Sequence, residues 1–237
     1  MHFFRMSAAA CLLSAMGLTY AEPNLNQVKE AFSRYEIGEV NTTPVDGLYR
    51  FNVGTEVYYL SEDGNYLFQG EMIDLNARKN LSEAHRESAR KALLDSADPK
   101  DMIIFPAQGE SKHVVNVFTD VDCPYCRLLH KNISDYTEQG IEVRYLAFPG
   151  GGLGSDSHRK AVSVWCDKDR QKAITDAMAG GEVKTKSCDA PVEKQYKLGV
   201  EMGVRGTPAF ILENGALVGG LVKPELLLRD LEAIEQN

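Results

Sequence analysis

The sequence predicts an α+β fold in two parts: a small β-rich unit, then a longer region of alternating strands and helices. Three features predict it. Between residues 47 and 69, short alternating apolar segments are separated by turn residues. Residues 80–98 form one long polar helical stretch stopped by Pro99. Beyond residue 99, runs of β-formers alternate with helical patterns, an order that sets parallel strands side by side.

Taken from the start of the chain, residues 1–21 read as a cleavable export signal. Arg5 is its charge, an apolar run extends from Ala8 to Leu18, and Thr19-Tyr20-Ala21 has the small-x-small form of a cleavage site. The apolar core is shorter than the roughly 20 residues of a membrane span, and no later stretch is long enough, so membrane insertion is not expected. A lipid anchor at Cys11 lacks the leucine and the apolar segment that should precede it. The formal charge of −8 becomes one unit more negative when Arg5 is removed, and no basic block remains. That balance argues against nucleic acid and anionic membrane surfaces as partners.

Residues 22–79 form the β-rich unit. Leu25–Tyr35 carries helical spacing at Val28, Ala31, Phe32 and Tyr35, and Gly47–Val53 alternates like a half-buried strand. Thr55–Leu60 and Asn65–Gln69 flank Ser61-Glu62-Asp63-Gly64, where Asp-Gly signals a hairpin. So short a unit has a marginal core alone. It gains most by pairing an edge strand with a second copy of itself, the alternative being an appendage folded on the rest of the chain. In residues 80–98, Asn80 can cap the helix and Glu83 completes a capping-box pattern. Charges round most of its circumference suit a solvent-bridging linker, with a surface helix as the alternative.

Residues 99–237 carry the alternating pattern. His113–Thr119 is a β run, Pro124 to about Gln139 is helical and stopped by Gly140, and Ile141–Ala147 is a second strand, completing β–α–β. A helical stretch then spans Ser157 to Met202. Ala209–Leu212 and Leu217–Gly220 flank an Asn214-Gly215 hairpin signal, and Pro224 opens a final helix ending near Gln236. The Gly150–Gly154 run has no following Lys-Ser/Thr and reads as a loop rather than a phosphate cradle.

Four cysteines remain once residues 1–21 are gone: Cys123, Cys126, Cys166 and Cys188. In an oxidising compartment, spacing suggests the pairs Cys123–Cys126 and Cys166–Cys188 out of three possible pairings. A four-cysteine zinc site is the alternative; it has one knuckle and lacks a second short loop. Cys123-Pro124-Tyr125-Cys126 sits at the joint between a strand and a helix. Cys123 falls at the first turn, where unpaired N–H groups and the dipole favour a thiolate, the attacking species in disulfide exchange. Cys126, about one turn further in, is placed to attack a mixed disulfide formed at Cys123. Pro124 loses no hydrogen bond at that position, and Tyr125 is expected to be exposed between the cysteines. The alternative, a permanent staple, is weak because so small a ring constrains the unfolded chain little. Asp120 and Asp122 flank Cys123 as like charges and are expected to be solvated. His130 reads as a surface or packing residue, and Trp165 as core.

The segments VFTDVDCPYCRLLH, GIEVRYLAFP, VWCDKD, GVRGTPAF and LENGALVGG resemble the DsbC/DsbG family of periplasmic thiol:disulfide interchange proteins, over most of residues 110–222 and more faintly before. Pro-Tyr stands where DsbC-type enzymes often carry Gly-Tyr and is also found in DsbG-like proteins; the flanking segments are closer to DsbC. The resemblance implies a thioredoxin-like catalytic domain with a helical insertion (99–237), preceded by an N-terminal dimerisation domain (22–79) and a linker helix (80–98). It further implies a V-shaped homodimer in the periplasm. Thr207 and Pro208 become the cis-proline element beside Cys123, so that Pro124, Tyr125, Thr207 and Pro208 contact substrate, and Cys166–Cys188 becomes a structural disulfide. The expected activity is isomerisation and reduction of wrong disulfides in exported proteins, without metal or organic cofactor, the pair being kept reduced by a membrane reductase of the DsbD type. Rival readings are a net dithiol oxidase, a DsbG-like reductase of sulfenic acids, and a chaperone without enzymatic activity.

Overall fold

A computed structural model of the protein describes residues 23–235; the expected export signal, residues 1–21, lies outside the described residues. The N-terminal part opens with α1 (Asn26–Ala31), then β1 (Asn41–Thr42), β2 (Leu48–Val53), β3 (Glu56–Ser61) and β4 (Leu67–Gln69). These strands make an antiparallel sheet in the order β1-β2-β3-β4. The β2–β3 pairing closes at Val53 and Glu56, a two-residue turn of Gly54 and Thr55 in which Gly54 adopts φ +57°. Left-handed backbone is tolerated there because glycine lacks a Cβ. Asp63-Gly64 marks a longer loop, since β3 and β4 pair only from Leu60 and Leu67. The expected helix Leu25–Tyr35 is cut short at Ala31: only Val28 of α1 is buried, while Phe32 leaves the helix to pack on Phe51 and Tyr58. Two further short strands, β5 (Ile73–Asp74) and β6 (Lys79–Asn80), pair with each other and lead into α2 (Leu81–Asp95).

The amide of Asn80 caps α2, accepting from Glu83 N at 3.0 Å. The reciprocal half of the capping box does not form, because the Glu83 carboxylate is drawn to Arg86 and Arg90. Helix α2 bridges and docks at once. Ser82 Oγ lies 2.5 Å from Tyr59 Oη in the N-terminal sheet, while Leu93 and Leu94 pack against a core cluster around Phe118, Phe148 and Met202.

After a single 3-10 turn at Pro99–Asp101 come β7 (Ile103–Phe105), β8 (His113–Thr119), α3 (Pro124–Lys131), α4 (Ile133–Thr137) and β9 (Ile141–Ala147). The chain continues through α5 (Asp156–Trp165), α6 (Arg170–Met178), α7 (Val192–Glu201), β10 (Ala209–Ile211), β11 (Leu217–Gly219) and α8 (Pro224–Glu235). The second sheet runs β11-β10-β8-β9-β7, with β8 and β9 parallel and the remaining pairs antiparallel. β8 and β9 have the bounds expected from the β-former runs. The helix expected from Pro124 to Gln139 breaks at Asn132, whose backbone leaves helical geometry. The long helical stretch divides into α5, α6 and α7. One face of the sheet carries the main core of Val115, Val117, Tyr145, Trp165 and Phe210. Gly215 (φ +90°) sits under α2: a Cβ there would fall 1.9 Å from Glu87 O, so the turn Asn214-Gly215 is also where the helix lies on the sheet domain. Among the described residues no helix is long and apolar enough to cross a membrane.

Candidate active site

Strand β8 ends at Thr119 and hands the chain to a short loop, Asp120-Val121-Asp122, that folds back into α3. Val121 is buried, and the Asp120 carboxylate binds two backbone amides, Asp122 N at 2.9 Å and Gly150 N at 2.7 Å. Asp120 is therefore buried and bonded rather than solvated, because one oxygen closes its own loop at Asp122 N and the other ties that loop to the segment after β9 at Gly150 N. Asp122 is neutralised from outside by Lys160 at 2.8 Å and Arg127 at 3.2 Å. The signal for Asp120 lies in the Asp-x-Asp spacing, which favours an Asx turn.

Cys123 is the N-cap of α3, with extended φ −74° and ψ 123°, and Pro124 occupies the first turn. Its side chain is half-buried and makes no cap hydrogen bond; instead Sγ donates to Thr207 O at 3.2 Å. That carbonyl belongs to the cis Thr207–Pro208 bond. Antiparallel pairing of Ala209 with Phe118 brings Pro208 level with the end of β8, which is why residues 84 apart in sequence meet. Cys126, one turn into α3, is 1% exposed. Burial pushes its thiol up to about 12, against smaller opposing hydrogen bonds from Thr119, the Asp120 backbone and Thr207. Tyr125 stands out between them, 63% exposed. One sulfur is thus reachable at a helix N-terminus and the other is held protonated beneath it, a division that suits an attacking and a resolving thiol.

The remaining residues singled out in the sequence have other places. Trp165 is core, its Nε1 donating to Asp101 O at 2.9 Å. Cys166 ends α5 and is disulfide-bonded to Cys188 in the loop before α7, with Cα atoms 5.7 Å apart. Closing a loop of 22 residues is worth about 3 kcal/mol on chain entropy. Among the described residues no group of three or more His, Cys, Asp or Glu is placed to hold a metal ion.

His130 is a packing residue, buried with Nε2 2.9 Å from Thr175 Oγ1 and Nδ1 3.3 Å from Tyr145 Oη. Burial lowers its pKa from 6.5 to about 4. The folded protein therefore resists protonation that the unfolded chain accepts, so this group's contribution is complete above pH 6.5 and is lost as pH falls toward 4. The loss amounts to roughly 3 kcal/mol across that window. Denaturant unfolding at about pH 7 and pH 4.5 checks it: the His130→Gln protein loses clearly less stability between the two than the unaltered chain.

Comparison with known proteins agrees with this geometry. Residues 99–235 match the thioredoxin-like domain model, and residues 19–83 match the disulfide bond isomerase protein N-terminal domain. The thiol:disulfide interchange protein DsbC of Salmonella typhimurium is 44% identical over 190 residues, covering 79% of this chain and 77% of the relative. That of Pasteurella multocida is 38% identical over 224 residues, covering 93% and 95%. Among solved structures, a disulfide interchange protein from Neisseria gonorrhoeae superposes with a TM-score of 0.51 at 32% identity, over 58% of this chain and 97% of its own. With relatives of this identity along most of its length and a thioredoxin-like domain bearing the paired thiols, the chain belongs to the DsbC family and is a disulfide isomerase and thiol:disulfide oxidoreductase.

Proposed function

We propose that the chain works in the periplasm as a homodimeric dithiol isomerase, with Cys123 as nucleophile and Cys126 as resolving thiol. The observation that carries the assignment of roles is the contrast between the two sulfurs, one reachable at the N-cap of α3 and the other buried one turn in. The thiolate of Cys123 attacks a wrong client disulfide; a Cys123–client bond forms and the displaced client sulfur leaves as a thiolate that takes a proton from water. A second client thiolate can then attack the client sulfur of that bond, which moves the disulfide and returns Cys123 with no net electron transfer. Alternatively Cys126 attacks Cys123, giving the Cys123–Cys126 disulfide and a client reduced by two electrons. Turnover by that branch needs a dithiol donor, the role we assign to a membrane reductase of the DsbD type. Around the half-buried Cys123, Pro124 and Tyr125 are exposed and Thr207 is half-buried, the surface a client would meet first, whereas Pro208 is buried and would touch a client only if one pressed into the site; Cys166–Cys188 is a structural bond outside the cycle.

Residues 22–79 serve dimerisation, 80–98 link, and 99–237 catalyse. Support for the dimer comes from β4, an edge strand that pairs with β3 alone among the described residues and whose residues are all exposed, Leu67 and Phe68 among them. Two copies joined there would form the V-shaped pair with a shared client cleft. The thiol state tests the assignment. Acid-quenched alkylation of periplasmic extracts should find Cys123 and Cys126 reduced; a resting Cys123–Cys126 disulfide would replace isomerase by net oxidase.

A further inference from the structure

The last carbonyls of a helix have no partner within it. At the end of α7 the chain turns back through Gly203 (φ +82°), with Gly203 N donating to Val200 O at 3.1 Å and Val204 N to Gly199 O at 2.9 Å. The carbonyls of Glu201 and Met202 are taken by side chains from far away in the sequence. Thr55 Oγ1, in the β2–β3 turn, donates to Glu201 O at 2.8 Å. Arg90 Nε, on α2, donates to Met202 O at 3.0 Å. Both donors are almost fully buried, at 3% and 6% exposure. Arg90 is held in turn by Glu83 at 2.7 Å, and Glu83 by Arg86, which reaches Glu71. The clamp therefore draws on the β2–β3 turn, the β4–β5 loop and α2 together.

Past the clamped carbonyls the chain enters the active-site loop. Five residues beyond Met202 stands Thr207, whose carbonyl accepts from Cys123 Sγ. Val204 is buried, whereas Arg205 and Gly206 are exposed. At its far end the loop is fixed by Pro208 O, which accepts from Gly220 N at 2.8 Å, and by the pairing of β10 with β8. The near end has the α7 turn, and that turn is completed by Thr55 and Arg90. We infer that Thr55 and Arg90 are positioning residues for the dithiol site: the N-terminal unit and α2 set, within one chain, where the Thr207 carbonyl stands opposite Cys123. Exchange geometry tolerates little displacement, and a shift of about 1 Å can cost up to roughly a hundredfold in rate.

This inference rests on Cys123 being the reacting thiol, and exchange by the unaltered full-length protein checks that premise separately. The test uses full-length Thr55→Val, which removes the hydroxyl at constant shape, and Thr55→Ser, which keeps it. Reduced protein is reacted with oxidised glutathione, and the rate constant and the glutathione equilibrium of the Cys123–Cys126 pair are measured alongside unfolding midpoint and sedimentation. Losing one such bond should slow exchange of the folded dimer roughly fivefold and shift the equilibrium, with Thr55→Ser within about twofold of the unaltered chain. A lowered midpoint with unchanged exchange would make the bond only a helix cap and overturn the inference, as would failure of Thr55→Ser to restore exchange. Should Thr55→Val not fold, Arg90→Lys decides: it keeps the charge beside Glu83 but displaces the donor, and unchanged exchange in it would equally overturn the role.

Discussion

Cys123→Ser should slow exchange by at least about a hundredfold, whereas Cys126→Ser should leave attack intact and accumulate trapped mixed disulfides. The asymmetry arises from the two environments. With its thiol pushed up to about 12 by burial, Cys126 is held almost wholly protonated at neutral pH and is a poor first attacker. Burial beneath Cys123 adds a steric bar. The same number raises the question of how Cys126 resolves anything. Proximity supplies one part: a thiol held beside its target acts at an effective concentration that reaches about 10⁵ M, which offsets a small thiolate fraction. Charge supplies another. Cys123 is among the groups that raise Cys126, and once Cys123 is bonded to a client its charge is gone, so forming the intermediate eases the ionisation that resolves it. Non-reducing electrophoresis after acid quenching, with a client carrying a wrong disulfide, reads both variants. Trapped species from Cys123→Ser and none from Cys126→Ser would reverse the roles.

The parts of this site that are legible in the sequence are those whose chemistry is local. A strand running into Cys-Pro-Tyr-Cys reports both the joint and the helix start, because Pro124 suits a first turn and the β-formers of His113–Thr119 have no competing period. Thr207 and Pro208 are legible only through resemblance, since nothing local says that residues 84 apart in sequence will meet. The break at Asn132 is hidden: its side chain reaches back to Leu128 O, while Gly140 offers the stronger stop signal. Strand β7 is three residues long and too short to show a period. Asp120 misleads because a carboxylate beside a reactive cysteine reads as a charge, whereas in the fold it is an acceptor for two amides. The clamp at the end of α7 is out of reach altogether. Its donors lie 146 and 112 residues from their acceptors, and neither threonine in a turn nor arginine on a polar helix carries a signal of burial.

Leu67→Asp/Phe68→Asp should yield a monomer that still exchanges with small disulfides yet loses more than about tenfold of its isomerisation of a scrambled multi-disulfide client. The two edges of the N-terminal sheet differ. β1 is two polar residues long, which blunts that edge, whereas β4 presents Leu67 and Phe68 at 46% and 53% exposure with Ile73 and Leu75 exposed nearby. An unpaired apolar edge is a template for a second strand, and a two-fold axis lets the same strand serve both protomers. Burying a large apolar side chain is worth about 1.5–3 kcal/mol, and each substitution acts twice in a symmetric pair while placing a charge where water is excluded. Chemistry at Cys123 is spared because Thr55 and Arg90 lie on other elements of the same chain. Isomerisation differs from simple exchange in needing a client held while its bonds move, and in the proposed dimer a second catalytic domain would supply the opposite wall. Sedimentation with paired glutathione and scrambled-client assays separates the possibilities: a persistent dimer puts the interface away from β4, and a monomer with full isomerase activity removes the need for a second copy.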